Sequence, residues 1–209
     1  MKACRICTMI AVVVAVVLSL GTASAQKSPP ASWTEKGTTA AIETTGGIPD
    51  LLKVNYFSNA NTGGAPDGTV RITNPGSYAG NLCAQIYVYD PDQELSECCA
   101  CEVTPDGLRT LSVNTDLTAN PLTGVVLANG QVSIVSGIVP PGGCNPLNPW
   151  VYPTIRAWGT HIQNSNFAIT ETEYSDRALG GYNYNLLLEC WAARLDGSGA
   201  GICTCGSGD

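Results

Sequence analysis

Residues 82–103, LCAQIYVYDPDQELSECCACEV, decide how the chain is read. In the first half, Leu82, Ala84, Ile86 and Val88 fall on one face, and Cys83, Gln85, Tyr87 and Tyr89 on the other. That period of two is the mark of a half-buried β-strand. Pro91 then reads as part of a turn between two strands. The second half places three cysteines in four positions. In a strand, Cys99 and Cys101 share a face and Cys98 takes the opposite one. The question is whether these thiols hold a metal, do redox chemistry or staple a fold.

Outward from this stretch the same grammar repeats. LLKVNYF, TVRITNPG, LRTLSV, GVVLANG, QVSIVSGIV and WVYPTIRAWGTHIQ are short apolar runs separated by Gly, Pro, Asn and Asp. Val, Ile, Tyr and Thr enrich the runs. Strands spaced 8 to 12 residues apart with turn residues between them predict an all-β sandwich or barrel. Residues 128–130, Ala-Asn-Gly, predict a hairpin turn joining two of these runs. Thr104-Pro105-Asp106-Gly107 predicts another tight turn.

One segment breaks the pattern. Leu179, Tyr182, Leu186, Cys190 and Ala193 recur at helical spacing, which predicts a helix over 181–195 stopped by Gly197–Gly199. The helix should lie across the body and bring the tail GICTCG back to it.

The N-terminus gives a compartment. Lys2 and Arg5 precede an apolar run, MIAVVVAVVLSL, and the small residues Ala23-Ser24-Ala25 follow it. That is a signal peptide over 1–25 with cleavage after Ala25, so the chain is expected to be secreted or periplasmic. No cysteine follows the site to carry a lipid anchor, and no later run is long enough to span a bilayer. Residues 26–48 are rich in Pro, Gly, Ser and Thr and read as a flexible lead-in, with Trp33 able to dock on the body. Residues 49–209 then form one sandwich domain with its helix and cysteine-rich tail.

The chain beyond the signal carries eight basic and 17 acidic residues. Such an acidic surface is a poor partner for nucleic acid or anionic membrane, because both rest on neutralising phosphate charge. A protein or polysaccharide at the cell surface remains as a partner class.

Eight cysteines remain once Cys4 and Cys7 leave with the signal: Cys83, Cys98, Cys99, Cys101, Cys144, Cys190, Cys203 and Cys205. An even number in an oxidising compartment reads as four disulfides. Cys203 and Cys205 share a face if the tail is extended, so they can bridge to the 98–101 cluster or to Cys190. Thiolates in C-x-C and C-C-x-C could suit copper(I) or zinc. Structural zinc sites pair two C-x2-C knuckles, and the mature chain lacks that pair. A redox site favours C-x-x-C at a helix start, and the mature chain offers none there. No metal and no cofactor is expected.

The remaining candidates are sparse. His161 is the single histidine, so any triad would have to use it, and it alternates with Ala157 and Gly159 in a strand. Asp90, Asp92, Glu94 and Glu97 gather as if for calcium, but Leu95 and Cys101 stand where an EF-hand needs Gly and Glu. Glu171, Glu173 and Asp176 form a similar cluster. No catalytic residue is assigned, and no enzyme is expected. Trp150, Tyr152 and Trp158 are the binding candidates, because flat rings on a β-sandwich can stack on sugars. The competing expectation is that they plug the core beside the loop 140–149.

TVRITNPGSYAGNLCAQIYVYDPDQELSECCACEVTPDGLRTLSV and the closing GSGAGICTCGSGD resemble a group of uncharacterised secreted bacterial cysteine-rich proteins, over roughly Val70 to Asp209. They share an ECCxCxVTPDGL core and a GICxCG tail. The group is secreted and has no assigned activity, so the resemblance carries no function over to this chain. The strand–turn layout is also similar to immunoglobulin-like modules of bacterial surface proteins, a likeness of architecture alone.

The expected fold is therefore a mainly β, immunoglobulin-like antiparallel sandwich with one C-terminal helix, stapled by disulfides. Its core should include Val70, Ile72, Leu82, Ile86, Val88, Leu111, Val113, Val132, Ile134, Ile155 and Leu186. The expected role is an exported non-catalytic structural or interaction protein. The alternatives are a carbohydrate- or surface-binding module and an extracytoplasmic thiolate metal-binding protein.

Overall fold

The computed structural model describes residues 48–119, 124–180, 185–194 and 203–206. The signal peptide, most of the lead-in, Trp33, Tyr182 and Gly197–Gly199 lie outside the described residues. Of the chain's two compact units, Met1–Ala40 also lies outside them, and Ala41–Asp209 holds all the described strands and the helix.

Ten strands run in the order β1 (Ile48–Phe57), β2 (Thr69–Thr73), β3 (Leu82–Tyr89), β4 (Leu95–Val103), β5 (Leu108–Ser112), β6 (Gly130–Ile138), β7 (Trp150–Val151), β8 (Arg156–Gln163), β9 (Ala168–Glu173) and β10 (Ser175–Leu179) among the described residues. An α-helix, α1 (Asn185–Ala193), follows. The first sheet has the order β10-β1-β6-β3-β4, with β7 added to β6, and the second the order β5-β2-β8-β9. Every pairing is antiparallel.

The two sheets face each other across one apolar layer. Leu82, Ala84, Ile86 and Val88 of β3 and Val132 and Ile134 of β6 meet Val70, Ile72, Leu111 and Ala157 of the second sheet. All eleven expected core residues are buried, none more than 9% exposed. At about 25 cal/mol per Å² of apolar surface, this layer dominates the folding free energy. The 104–107 turn forms as expected, with Gly107 N–H donating to the Thr104 carbonyl at 2.9 Å and Asp106 at φ 57°.

Leu186 belongs elsewhere. It joins Leu52, Tyr87, Cys98, Val135 and Cys190 in a second cluster on the outer face of the first sheet. There α1 and the loop 139–149 form a roof, with Leu147 and Leu186 packed over the strands and Tyr87 Oη donating to the Pro146 carbonyl at 2.9 Å. This corrects the half-buried reading of β3, whose residues Leu82–Val88 are buried on both faces. A strand takes that pattern when a second layer covers its outer side.

Three further expectations change. Residues 124–129 form no strand, and among the described residues their ladder contact is a bridge from Val126 to Ala119. The reason is that β6 is already paired on both sides, by β1 and β3, so no edge is left for a hairpin partner. Gly130 serves close approach instead, since a Cβ there would lie 2.2 Å from the Tyr89 carbonyl oxygen. Residues 168–179 supply two strands absent from the sequence reading, and β9 is exposed at every position. The helix expected over 181–195 is present across the described Asn185–Ala193, and Leu179, counted in its helical spacing, belongs to β10 instead.

Candidate functional site

The four disulfides are Cys83–Cys144, Cys98–Cys190, Cys99–Cys203 and Cys101–Cys205. Their Cα–Cα distances of 5.3 to 5.9 Å are ordinary for the bond. Strand parity decides the pairing. Cys99 and Cys101 point to the inner side of the edge strand β4, and each meets a tail cysteine. Cys98, on the outer side, meets Cys190 of α1, and Cys83 on the same outer face holds the 139–149 loop.

Both tail bonds span 104 residues, so the tail runs alongside β4 in the same direction. Thr204, between the two bonds, turns the other way. Its amide donates to the Asp116 carbonyl at 3.0 Å and its hydroxyl to the Asp116 carboxylate at 2.6 Å. Arg109 of β5 donates to the Cys205 carbonyl at 3.2 Å and to the Glu102 carbonyl at 3.1 Å. The tail thus closes the open edge between β4 and β5. Each of the four closed loops stabilises the fold by about 2–4 kcal/mol.

The acidic candidates separate. Asp90 caps the β3–β4 turn by accepting from the Glu94 amide at 2.9 Å. Glu97 lies in β4 on the inner face, fully buried, and neither carboxylate oxygen has a hydrogen-bond partner. Burial pushes its pKa up to about 8. Glu171 pairs with Arg71, and Asp176 pairs with Lys53 and with Arg156. Among the described residues no cluster of three or more His, Cys, Asp or Glu side chains could hold a metal.

His161 is buried in β8, with Nε2 hydrogen-bonded to Thr172 Oγ1 at 2.6 Å and its ring stacked on Tyr56 at 4.1 Å. Burial lowers its pKa, which favours the neutral ring.

The three aromatic candidates do not plug the core. Trp150 and Tyr152 are 43% and 38% exposed, on and just after β7, and Tyr152 lies against the half-buried ring of Tyr78 at 5.2 Å. Trp158 stands apart from them in β8 of the second sheet, half-buried, in register between Arg71 and Glu173. Outward parity separates it from its buried neighbours Ala157 and Gly159.

The sequence reading also passed over the uncovered half of the first sheet's outer face. Three adjoining hollows of about 480, 200 and 430 Å³ share Gln131, with Tyr89 or Val54 linking neighbours; the first two lie there, and the third lies at the β1 edge, where Thr172 and Glu173 of β9 join its lining. The alternation in β1, β3 and β6 places Tyr56, Tyr89 and Gln131 in one cross-strand row. The available signal was that row, which needs the strand pairing to be seen.

No family model matches the chain, and no curated protein matches it. Among solved structures, an Anabaena sensory rhodopsin transducer is similar at 14% identity, over 60% of this chain and 98% of its own, with a TM-score of 0.35.

Proposed function

We propose that the chain is an exported, non-catalytic structural or interaction protein. One observation carries this reading: all eight cysteines beyond the signal-like segment are joined in disulfides that fasten the roof and the tail to the sandwich. Such bonds persist in oxidising compartments. The signal-like residues 1–25 and the resemblance to secreted bacterial proteins point the same way. Among the described residues no helix is long and apolar enough to cross a membrane. The thiols, the histidine and most of the acids that could do chemistry are engaged in bonds, stacking or ion pairs.

The test is the intact mass of the exported chain, alkylated under denaturing conditions without reductant. The expected result is a chain beginning at Gln26 with no alkylated thiol. Two or more alkylated thiols would revive the metal-binding alternative.

A second reading, carbohydrate or surface binding, rests on the exposed Trp150 and Tyr152 alone, since Trp158 stands apart from them in the second sheet. Titration with soluble polysaccharides, followed by tryptophan fluorescence, tests it. The expected change is lost in Trp150→Ala.

A further inference from the structure

We propose that the groove across the open half of the first sheet's outer face binds a neutral oligosaccharide between Tyr56 and Tyr89, over Gln131. This deepens the interaction reading and rests on it, while placing the ligand away from Trp150 and Tyr152.

The floor is one cross-strand row. Tyr89 of β3 pairs with Gln131 of β6, and Gln131 pairs with Tyr56 of β1. Two strand spacings put the tyrosine Cα atoms about 10 Å apart, with the Tyr56 ring leaning over the β1 edge against His161 and Gln163 of β8. Both rings are held in place. Tyr56, 51% exposed, stacks on His161, and its hydroxyl accepts from the Gln163 amide at 3.4 Å. Tyr89 donates to Glu189 of α1 at 2.6 Å. Rings fixed before binding lose little conformational entropy on contact. An aromatic face also suits the C–H face of a sugar while its hydroxyls reach polar neighbours.

Those neighbours are present. Gln93, Gln131, Ser133 and Asn185 line the hollows with amides and hydroxyls that both donate and accept. The charged lining is Asp90, Glu173 and Glu189 against the single cation Arg177. Glu173 is itself paired with Arg156 at 3.8 Å, which leaves two carboxylates beside one guanidinium; that excess disfavours phosphate, sulfate and uronate groups, and the rings and amides suit an uncharged sugar. An extended peptide fits less well. At the groove floor β6 and β3 are paired on both sides and have no backbone edge to offer a peptide strand.

The roof gives the groove one wall. Leu186 and Glu189 of α1 line the middle hollow, and α1 is fastened by Cys98–Cys190. Loss of that bond should therefore weaken the site without touching a residue of its floor.

The experiment is calorimetric titration of the disulfide-intact chain with neutral oligosaccharides of glucose, mannose, xylose and N-acetylglucosamine, and with a sulfated oligosaccharide. Near-UV circular dichroism checks the fold of each variant. The expected result is saturable binding of at least one neutral member, weakened about tenfold by Tyr56→Ala and by Gln131→Ala. Ile169→Ala, on the second sheet, leaves it unchanged. Two substitutions guard against one failing to fold. Binding to no neutral member overturns the groove assignment, as does binding of the sulfated sugar alone. Binding lost in Trp150→Ala but kept in Tyr56→Ala also overturns it, while the interaction reading stands. Free thiols in the mass measurement would instead remove the reading beneath it.

Discussion

The outer faces of the two sheets are built in opposite ways. On the first, α1 and the loop 139–149 cover half the surface, and each is fastened by its own disulfide. Tyr87, Val135 and Leu52 are buried beneath them. On the second, cover of the outer face is confined to β8, which is buried on both faces from Gly159 to Ile162. β9 is exposed along its whole length, and Trp158 is shielded only in part, between Arg71 and Glu173. An antiparallel sheet needs only one covered face to be stable. The second sheet keeps to that alternation in β2 and departs from it in β8. The first has a second apolar layer because two segments distant in sequence are fastened onto it, and the proposed binding groove lies where that layer stops.

Removing a fastener should break the contrast most strongly. Replacing Cys98 and Cys190 together with Ser should cost about 2–5 kcal/mol in denaturant unfolding and raise hydrogen exchange in α1. An unchanged midpoint would mean that packing alone holds the roof. Leu186→Ala, which removes the roof's apolar contact but keeps its bond, should cost about 2–3 kcal/mol by the same measurement.

Glu97 sharpens the comparison from inside. Its pKa of about 8 lies above the ordinary 4.5, so between these values the folded chain keeps a proton that the unfolded chain releases. Stability contributed by the neutral group is therefore full below about 4.5 and declines as pH rises to about 8. The slope from this group is at most about 1.4 kcal/mol per pH unit. Glu97→Gln should flatten that part of the stability profile and raise stability at pH 8. The smallest effect belongs to the bare face. Arg71→Ala or Glu171→Ala, breaking an exposed ion pair, should change stability by less than about 1 kcal/mol and less still in high salt.

The same contrast marks what the sequence could show. The inner core was legible because alternation of Val, Ile and Leu reports the face toward a partner sheet. The cysteine geometry was legible in part. Parity put Cys99 and Cys101 on one side and Cys98 on the other, but left Cys190 and the tail pair as competing partners. The roof over Tyr87 and Gln85 was not legible, because burial of a strand's second face depends on segments about 60 to 100 residues away. The edge strands β9 and β10 were missed because AITETE and SDRAL carry little apolar surface to report a buried face. The Asn-Gly pair at 129–130 makes no hairpin turn, since neither residue takes a positive φ and both edges of β6 are already occupied.

Disulfide mapping of the unreduced protein, by proteolysis and mass spectrometry of linked peptides, tests the central claim most directly. The expected linkages are Cys83–Cys144, Cys98–Cys190, Cys99–Cys203 and Cys101–Cys205. Cys98 linked to a tail cysteine, or Cys190 found free, would contradict the assignment of one outer bond to the roof and two inner bonds to the tail.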